Sequence, residues 1–263
     1  MKFGKYLSFS LDAEKEIAYD SPDHLHPLGT ARDNSTNKRF NEKIYNIFIN
    51  HPRPYRVMDM GCSGGGFVKS CIDDGCIAIG VEGSDYSRIL KRAEWKTIPD
   101  KLFVCDITAP FQAKMDNGGE VFNLEFDLVT CWEVMEHIKE QDIQHVAANV
   151  KKHLLPHGLW VMSVSKVDDF YDGVNLHQTV KPKTWWVEKF KSLGLTHLEA
   201  FEPYFNEQYI RGNRYGATDS FHLILSKNPE AAPKVPKYKF VAKLYDNWRG
   251  SKMQKLLNKI VEL

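Results

Sequence analysis

The chain has 263 residues, of which 43% are hydrophobic and 26% charged, and its 35 basic side chains nearly balance 34 acidic ones. This composition is typical of one large globular domain and excludes intrinsic disorder, collagen-like repeats and a small disulfide scaffold. The near-neutral charge disfavours nucleic acid as a partner. No apolar run approaches the roughly 20 residues that span a bilayer, so we expect no membrane partner.

The cysteines and the N-terminal residues indicate where the protein works. The five cysteines form no CxxC pair, which is typical of reduced thiols. The first residues contain Asp12, Glu14 and Glu16 and do not resemble a signal peptide. We therefore predict a cytoplasmic protein.

In chain order, the first periodic element is a helix with apolar residues at Phe40, Ile44 and Phe48, capped by Asn34 or Ser35. From residue 55 onward, strands alternate with helices. Strands are predicted at 56–60, 77–81, 102–105, 126–131 and 159–164, and helices at 67–73, 86–95, 142–154 and 183–193. This alternation predicts a Rossmann-like α/β fold, a mainly parallel sheet with helices on both faces.

The C-terminal third departs from the alternation. Strands predicted at 197–202 and 220–226 follow each other without a helix, so we expect an antiparallel pair at the sheet edge. A proline-rich linker at 229–236 leads to a basic tail, since the residues from Lys227 onward include nine basic and three acidic side chains. We interpret this tail as an amphipathic segment docked on the body, or as a contact for a second copy or an acidic partner.

The most informative segment is Val57–Phe67, VMDMGCSGGGF. An apolar strand leads through Asp59 into a glycine-rich turn, and a helix follows. Glycines allow a ligand to approach the backbone closely, and the helix N-terminus supplies free N–H groups. The turn lacks the lysine of a phosphate-binding P-loop, and Asp59 is placed to meet a ligand's ammonium group.

Acidic residues follow the next three predicted strands. Glu82 ends the second strand, 23 residues after Asp59, where a carboxylate can accept both ribose hydroxyls of an adenosine. Asp106 ends the third strand, near the expected adenine amino group, and the fourth runs into Glu133, Glu136 and His137. Each residue alone is typical of a turn or a cap, but their succession at one sheet edge indicates a cofactor site.

This set resembles the class I S-adenosylmethionine-dependent methyltransferases over roughly residues 35–226, and the EVMEH stretch is similar to the ubiquinone-biosynthesis type of small-molecule O-methyltransferase. The resemblance implies a seven-stranded sheet with its last strand antiparallel. It also implies a cofactor site, comprising Asp59, Gly61, Ser63, Gly65, Glu82, Asp106, Ile107, Trp132 and Glu133. Ser63 departs from the family, which usually has glycine there.

The resemblance divides the chain into three parts. Residues 1–34 are expected to cover the substrate, residues 35–228 to form the S-adenosylmethionine-binding domain, and residues 229–263 to form the basic helical tail, a candidate contact for a homo-oligomer.

Methyl transfer to a hydroxyl requires alignment with the sulfonium methyl and removal of a proton, by a general base or with a metal. Glu133, His137 and His177 are the candidate catalytic residues. Together with Glu136 they form a candidate site for Mg²⁺, Mn²⁺ or Zn²⁺. The alternative, equally open, is that His137 or His177 acts as a metal-free base.

The acceptor is predicted to be a hydroxyl of a polar small molecule, with a sugar or a nucleotide-linked sugar favoured. Candidate acceptor-binding residues are His24, His26, Tyr209, Arg211, Arg214 and Tyr215, each of which also suits a solvated turn or loop. An alternative is an RNA 3′-end 2′-O-methyltransferase, since that family has Glu-x-x-Glu-His and a later histidine. Against it, the residues before Lys227 include 26 basic and 31 acidic side chains. A non-catalytic scaffold with the same fold is the third alternative.

Overall fold

The structure is a computed structural model that describes residues 7–261. Its strands are β1 (Leu7–Ala13), β2 (Arg56–Met60), β3 (Ile77–Glu82), β4 (Leu102–Val104), β5 (Phe111–Asn117), β6 (Val121–Asn123), β7 (Phe126–Trp132), β8 (Leu154–Ser165), β9 (Phe170–Tyr171), β10 (Val174–Asn175), β11 (Thr196–His197) and β12 (Ser220–Ser226). Its α-helices are α1 (Pro22–Leu25), α2 (Leu28–Arg32), α3 (Lys38–Ile47), α4 (Gly66–Asp73), α5 (Tyr86–Ile89), α6 (Ile143–His153), α7 (Lys183–Ser192), α8 (Glu202–Phe205), α9 (Phe240–Trp248) and α10 (Lys252–Val261).

Seven strands form the central sheet in the order β11-β12-β8-β7-β2-β3-β4. All neighbours from β8 to β4 pair in parallel, and β12 pairs antiparallel with both β8 and β11. The predicted fold class is therefore confirmed. Because the parallel strands end at one edge, the loops that follow them meet there.

Helices cover both faces of this sheet, and each face has its own hydrophobic core. On one face, α6 and α7 pack on the sheet, with Trp160, Trp186 and Phe190 fully buried between them. On the other face, α3, α4 and α8 bring in Phe40, Phe67 and Phe205. Both faces are apolar along the central strands, which explains their near-continuous hydrophobic sequences.

Two predicted elements are wrong. The helix expected at 86–95 ends at Ile89, and a 3₁₀ turn follows at Ala93–Lys96. The helix is interrupted because Lys91 and Ala93 adopt the left-handed backbone conformation, with φ angles of 47° and 45°. The strand expected at 197–202 stops at His197, and a 3₁₀ turn begins at Glu199.

The start of α3 also differs from the prediction. Its cap is Asn37, whose side-chain oxygen accepts the Arg39 N–H at 3.0 Å, rather than Asn34 or Ser35.

The N-terminal residues belong to a second, small sheet that the sequence pattern did not predict. β1 pairs antiparallel with β5, from Leu7 opposite Asn117 to Ala13 opposite Phe111, and β6 pairs with β5 on its other side. After β1, residues 14–34, which we call the strap, return across the carboxyl edge of the central sheet. The Ala18 N–H donates to the Gly83 carbonyl, and the Asp106 N–H donates to the Lys15 carbonyl, both at 3.0 Å.

A buried ion cluster attaches the C-terminal tail to the body. Asp246 of α9 is fully buried, and it accepts from Arg39 Nε at 2.5 Å and from Lys43 Nζ at 2.6 Å. The Tyr238 hydroxyl donates to the same carboxylate. The tail is thus held by a charged contact with α3. Of the helices between Leu7 and Val261, none combines the length and the apolarity that crossing a bilayer requires.

The buried His153 makes stability depend on pH. Its Nε2 accepts the Ala113 N–H at 3.1 Å and its Nδ1 faces the Asn149 carbonyl at 2.8 Å, so only the neutral ring fits. Burial lowers the pKa of His153 to about 4. Between pH 6.5 and 4 the unfolded chain therefore binds a proton that the folded chain does not, and stability falls as pH drops through this window.

We expect this residue alone to cost about 2 kcal/mol of unfolding free energy between pH 7 and pH 5. Urea denaturation of wild type and His153→Gln at the two pH values measures the difference, which should shrink in the variant. His145→Gln, a change at a mostly exposed histidine, is the control. An equal pH dependence in all three proteins would contradict the prediction.

Candidate active site

A cavity of about 560 Å³ lies between the strap and the carboxyl edge of the central sheet. Its floor comes from loops that follow β2, β3, β4 and β7, with Gly61, Gly83, Asp106 and Val134 among the lining residues. The strap forms its roof, including Lys15, Ala18 and Asp20–Asp23, and α6 contributes His145, Ala148 and Asn149. The cavity therefore lies at the edge of the sheet where the sequence predicts the cofactor site.

The glycine-rich turn has the geometry that the cavity needs. Gly61 has a φ of 72° and lines the cavity, and a side chain there would collide with Val134. Ser63, at the family's usual glycine position, adopts a φ of 48°. Its hydroxyl lies 2.9 Å from the Asp33 carbonyl and 2.9 Å from the Arg92 guanidinium. The substitution is thus accommodated, and the serine attaches the strap to the turn.

Three carboxylates stand at successive strand ends, as predicted. Glu82 accepts the Ser63 N–H at 2.7 Å, and Thr30 of the strap lies 3.4 Å from its other oxygen. Asp106 lines the cavity, and its Oδ1 accepts the Thr108 N–H at 2.9 Å. Asp59 is 3% exposed and accepts from the Thr130 hydroxyl at 2.6 Å. Burial raises the pKa of Asp59 to about 8, as expected of a carboxyl that lacks a cationic partner.

The other residues assigned to the cofactor lie in different positions. Ile107 lines the cavity, and Gly65, with a φ of 84°, is the cap of α4. Trp132 does not line the cavity, because its ring packs edge-on against Phe40 and Phe67 in the core below. Trp132 thus packs in the core, and its assignment to the cofactor site stays a prediction.

Three of the four predicted metal ligands converge at the far end of the cavity. Glu136, His137 and His177 each offer an atom within 4.8 Å of the other two. The backbone brings them together, since the Gln178 and Thr179 N–H groups donate to the Glu136 carbonyl at 2.7 and 2.9 Å. Glu133 is not part of this trio. Its backbone φ is 55°, and its carboxylate accepts from the Ser220 hydroxyl at 2.7 Å.

The rings of His137 and His177 pack edge-on, with centroids 4.6 Å apart. His137 Nδ1 lies 3.1 Å from the Leu176 carbonyl, and His177 Nδ1 lies 2.5 Å from the Val167 carbonyl. Because carbonyl oxygens only accept, each Nδ1 carries a proton, and a neutral ring then keeps its lone pair on Nε2. Metal-binding histidines are usually held in this way by outer partners.

Asp23 of the strap is a site residue that the sequence pattern did not reveal. Its Oδ2 lies 2.7 Å from His137 Nδ1. Burial lowers the pKa of His137, but the hydrogen bond that Nδ1–H donates to Asp23 and the charge of Asp23 outweigh burial and raise the pKa to about 9. Only the Ser-Pro-Asp pattern of a turn marks Asp23 in the sequence, since 114 residues separate it from His137.

Two buried carboxyl oxygens in and beside the trio have no hydrogen-bond partner among the described residues. They are Glu136 Oε2 and the neighbouring Glu133 Oε1. Burial, together with the charge of Glu133, raises the pKa of Glu136 to about 8. Burial and the neighbouring His137 lower the pKa of His177. A divalent cation would satisfy these oxygens and the imidazole nitrogens, and its binding would displace the protons that Glu136 and His137 hold near neutral pH.

Four of the six predicted acceptor-binding residues lie away from the cavity. Tyr209 is 2% exposed and stacks on His222, with ring centroids 3.6 Å apart. Arg214 donates to the Arg249 carbonyl at 3.1 Å, and the Tyr215 hydroxyl donates to Gln208 at 2.6 Å. Arg214 and, through Gln208, Tyr215 hold the C-terminal tail, whereas Arg211 pairs with Asp33 of the strap at 3.2 Å.

The two histidines of the strap lie near the cavity without lining it. His24 packs edge-on against Tyr19, and His26 packs against Tyr171 of β9, both with centroids 5.2 Å apart. His26 therefore connects the strap with the β9–β10 hairpin, which lies directly before His177.

A glycine turn, carboxylates at successive strand ends and a cavity over a mainly parallel sheet define a nucleotide-cofactor-dependent transferase of Rossmann-like fold. Residues 32–216 match the family model described as methyltransferase domain, so the chain belongs to the methyltransferase-domain family. The protein is an S-adenosylmethionine-dependent methyltransferase.

Solved structures agree with this fold. The chain is similar to an S-adenosylmethionine-dependent methyltransferase from Clostridium acetobutylicum, with 13% identity over 76% of this chain and 95% of that chain, at a TM-score of 0.51. It is also similar to 1,6-didemethyltoxoflavin-N1-methyltransferase of Burkholderia thailandensis, with 14% identity over 78% and 83% of the two chains, at a TM-score of 0.50. No curated protein matches the sequence. The narrower likeness to the ubiquinone-biosynthesis type stays a prediction.

Proposed function

We propose that the protein transfers the methyl group of S-adenosylmethionine to a hydroxyl of a polar small molecule, a sugar or a nucleotide-linked sugar, with a divalent cation held by Glu136, His137 and His177. The observation that carries this proposal is the convergence of these three side chains within 4.8 Å at one end of the cofactor cavity. Bound there, the cation would lower the pKa of an acceptor hydroxyl.

The chain's own residues supply the rest of the chemistry. S-adenosylmethionine brings an already activated methyl group, so the protein must orient the acceptor oxygen in line with the S–C bond and exclude water. Glu82 suits the ribose, Asp106 the adenine and Asp59 the ammonium group of the cofactor. The strap closes the cavity from above through Asp23 and Ser63, and thereby excludes water from the trio.

The β9–β10 hairpin, which packs against His26 of the strap, supports a neutral polyol as the acceptor. The β9–β10 hairpin exposes Phe170 and Tyr171 beside Asp168, Asp169 and Asp172. Aromatic faces pack on the apolar faces of sugar rings, and carboxylates accept hydrogen bonds from sugar hydroxyls. The same three carboxylates would repel the phosphates of RNA, which weighs against the RNA 3′-end alternative.

Two other interpretations have specific observations in their favour. The neutral Nε2 of His177 can also accept the acceptor proton directly, which corresponds to the metal-free alternative. The RNA interpretation is favoured by the Glu-x-x-Glu-His motif and by the later His177, which lies beside His137. The scaffold alternative is disfavoured, because a protein without catalysis has no need for a cavity beside the strand ends that carry Asp59, Glu82 and Asp106.

Metal titration tests whether Glu136, His137 and His177 bind a cation. We expect Mn²⁺ to bind stoichiometrically to the protein with S-adenosylhomocysteine bound, and His177→Ala to weaken this binding at least about tenfold, the smallest effect typical of losing even an outer partner of a ligand. Calorimetry with Mg²⁺, Mn²⁺ and Zn²⁺ measures the affinities. His145→Ala, a change at a cavity histidine outside the trio, should bind like wild type.

If no cation binds wild type, or if both variants bind alike, the metal site is wrong and the metal-free base replaces it. The acceptor class is tested separately, by transfer of labelled methyl from S-adenosylmethionine to nucleotide-linked sugars, to their amino-sugar counterparts and to short RNA. Label in the amino sugars alone would replace O-methyl transfer with N-methyl transfer, and label in RNA alone would replace the sugar.

A further inference from the structure

Helix α9 attaches to the body by its charged side. At 100° per residue, Phe240, Val241, Leu244, Tyr245 and Trp248 share one face of this helix. Asp246, on the opposite face, is fully buried against Arg39 and Lys43. The apolar face consequently points outward, and Phe240 and Val241 are 73% and 75% exposed. A helix that buries a carboxylate and exposes its aromatic face is reversed relative to an ordinary surface helix.

Helix α10 continues this apolar surface. Met253, Leu256, Leu257 and Ile260 recur at the spacing of one helical face, and all four are exposed. Together with the five residues of α9 they form what we call the apolar tail face. Scattered exposed hydrophobic residues are normal on a protein, but nine on two consecutive helices indicate an interaction surface.

The charges beside this face select its partner. Lys243 on α9 and Lys252 and Lys259 on α10 lie next to the apolar tail face on the helical wheel. The one acid of these two helices, Asp246, is already neutralised in the body. Two copies of so basic a surface repel each other, whereas an anionic surface complements it. Aromatic and leucine side chains flanked by lysines are the composition of helices that lie in a lipid interface.

We propose that the apolar tail face binds the surface of an anionic lipid bilayer. The lysines contact the headgroups, and Phe240, Leu244, Trp248 and the α10 side chains enter the headgroup–acyl boundary. This inference departs from the sequence expectation of no membrane partner, because only the structure shows which face of α9 is buried. It is independent of the proposed acceptor and metal.

The test is flotation of the full-length protein with vesicles of phosphatidylcholine alone or mixed with phosphatidylglycerol. We expect binding to the mixed vesicles, weakened by salt, and little binding to phosphatidylcholine alone. Leu256→Asp should reduce binding about tenfold or more, because it removes a leucine that enters the bilayer and adds a negative charge that the anionic headgroups repel. Asn258→Asp adds the same charge on the other side of α10 and should reduce binding clearly less.

Several outcomes would overturn the proposal. They are no binding to the mixed vesicles, equal loss in the two aspartate variants, and self-association in sedimentation velocity that Leu256→Asp abolishes without any vesicle binding. That last outcome would make a second copy the occupant. Circular dichroism and S-adenosylhomocysteine affinity, both expected to be unchanged in the two variants, confirm that the comparison concerns folded protein.

Discussion

Glu82→Gln is expected to weaken S-adenosylhomocysteine binding about 100-fold. Hydrogen bonds to a charged acceptor contribute about 1.5–3 kcal/mol each, and the ribose offers two hydroxyl donors to this carboxylate. Glutamine keeps an oxygen for the Ser63 N–H, which the wild-type carboxylate accepts at 2.7 Å, so the glycine turn should persist. Calorimetry with S-adenosylhomocysteine gives the affinity, and the thermal midpoint reports whether the fold is intact.

Glu94→Gln is the matched control for this prediction. Glu94 lies next to the glycine turn, where its Cβ is 3.1 Å from the point that a Cβ on Gly65 would occupy, but it is outside the cavity. The affinity of this variant should equal that of wild type. An unchanged affinity in Glu82→Gln would mean that the ribose binds elsewhere in the cavity.

The second large effect is expected at Asp246→Asn, which should lower the free energy of unfolding by about 3–5 kcal/mol. Lys43 is 2% exposed, and without Asp246 its ammonium group would be buried without a counter-ion. Burial already lowers the pKa of Lys43, although Asp246 opposes this effect. Urea denaturation measures the loss, and proteolysis within the linker at 229–236 reports release of the tail.

A double-mutant cycle isolates the pair. Lys43→Met combined with Asp246→Asn removes both charges, so most of the loss should be recovered relative to Asp246→Asn alone. Additive losses in the double variant would show that the two charges do not stabilise each other, and the ionic account of tail attachment would be wrong.

The central sheet was predictable because its signals are local. Buried parallel strands are continuous apolar runs, and Gly61, Glu82 and Asp106 stand where such runs end. The acidic series therefore indicated the cofactor edge from the amino-acid order alone. The pairing of His137 with His177 followed by the same logic, since both residues come after strands that end at that edge.

The remaining features depend on contacts that sequence patterns do not encode. β1 alternates as any half-buried strand does, but its partner β5 lies about a hundred residues away. Asp23 resembles a turn residue until the strap is closed over His137. Arg214 and Tyr215 are residue types that often bind ligands. In the structure, however, Arg214 donates to the Arg249 carbonyl and Tyr215 donates to the Gln208 side chain. For the C-terminal tail, amphipathicity predicted a segment docked on the body, but the sequence did not reveal that α9 docks through Asp246 and leaves its apolar face outward.

The strap has a consequence for how the enzyme is made. The strap is synthesised before the rest of the cavity, and β1 is not fully paired until β5, from Phe111 opposite Ala13 to Asn117 opposite Leu7, has left the ribosome. Asp23 meets the imidazole that it holds only after His137 has been made. Until His137 has been synthesised, the nascent chain therefore contains the strap without the imidazole that Asp23 binds. The strap cannot reach its final position before that point.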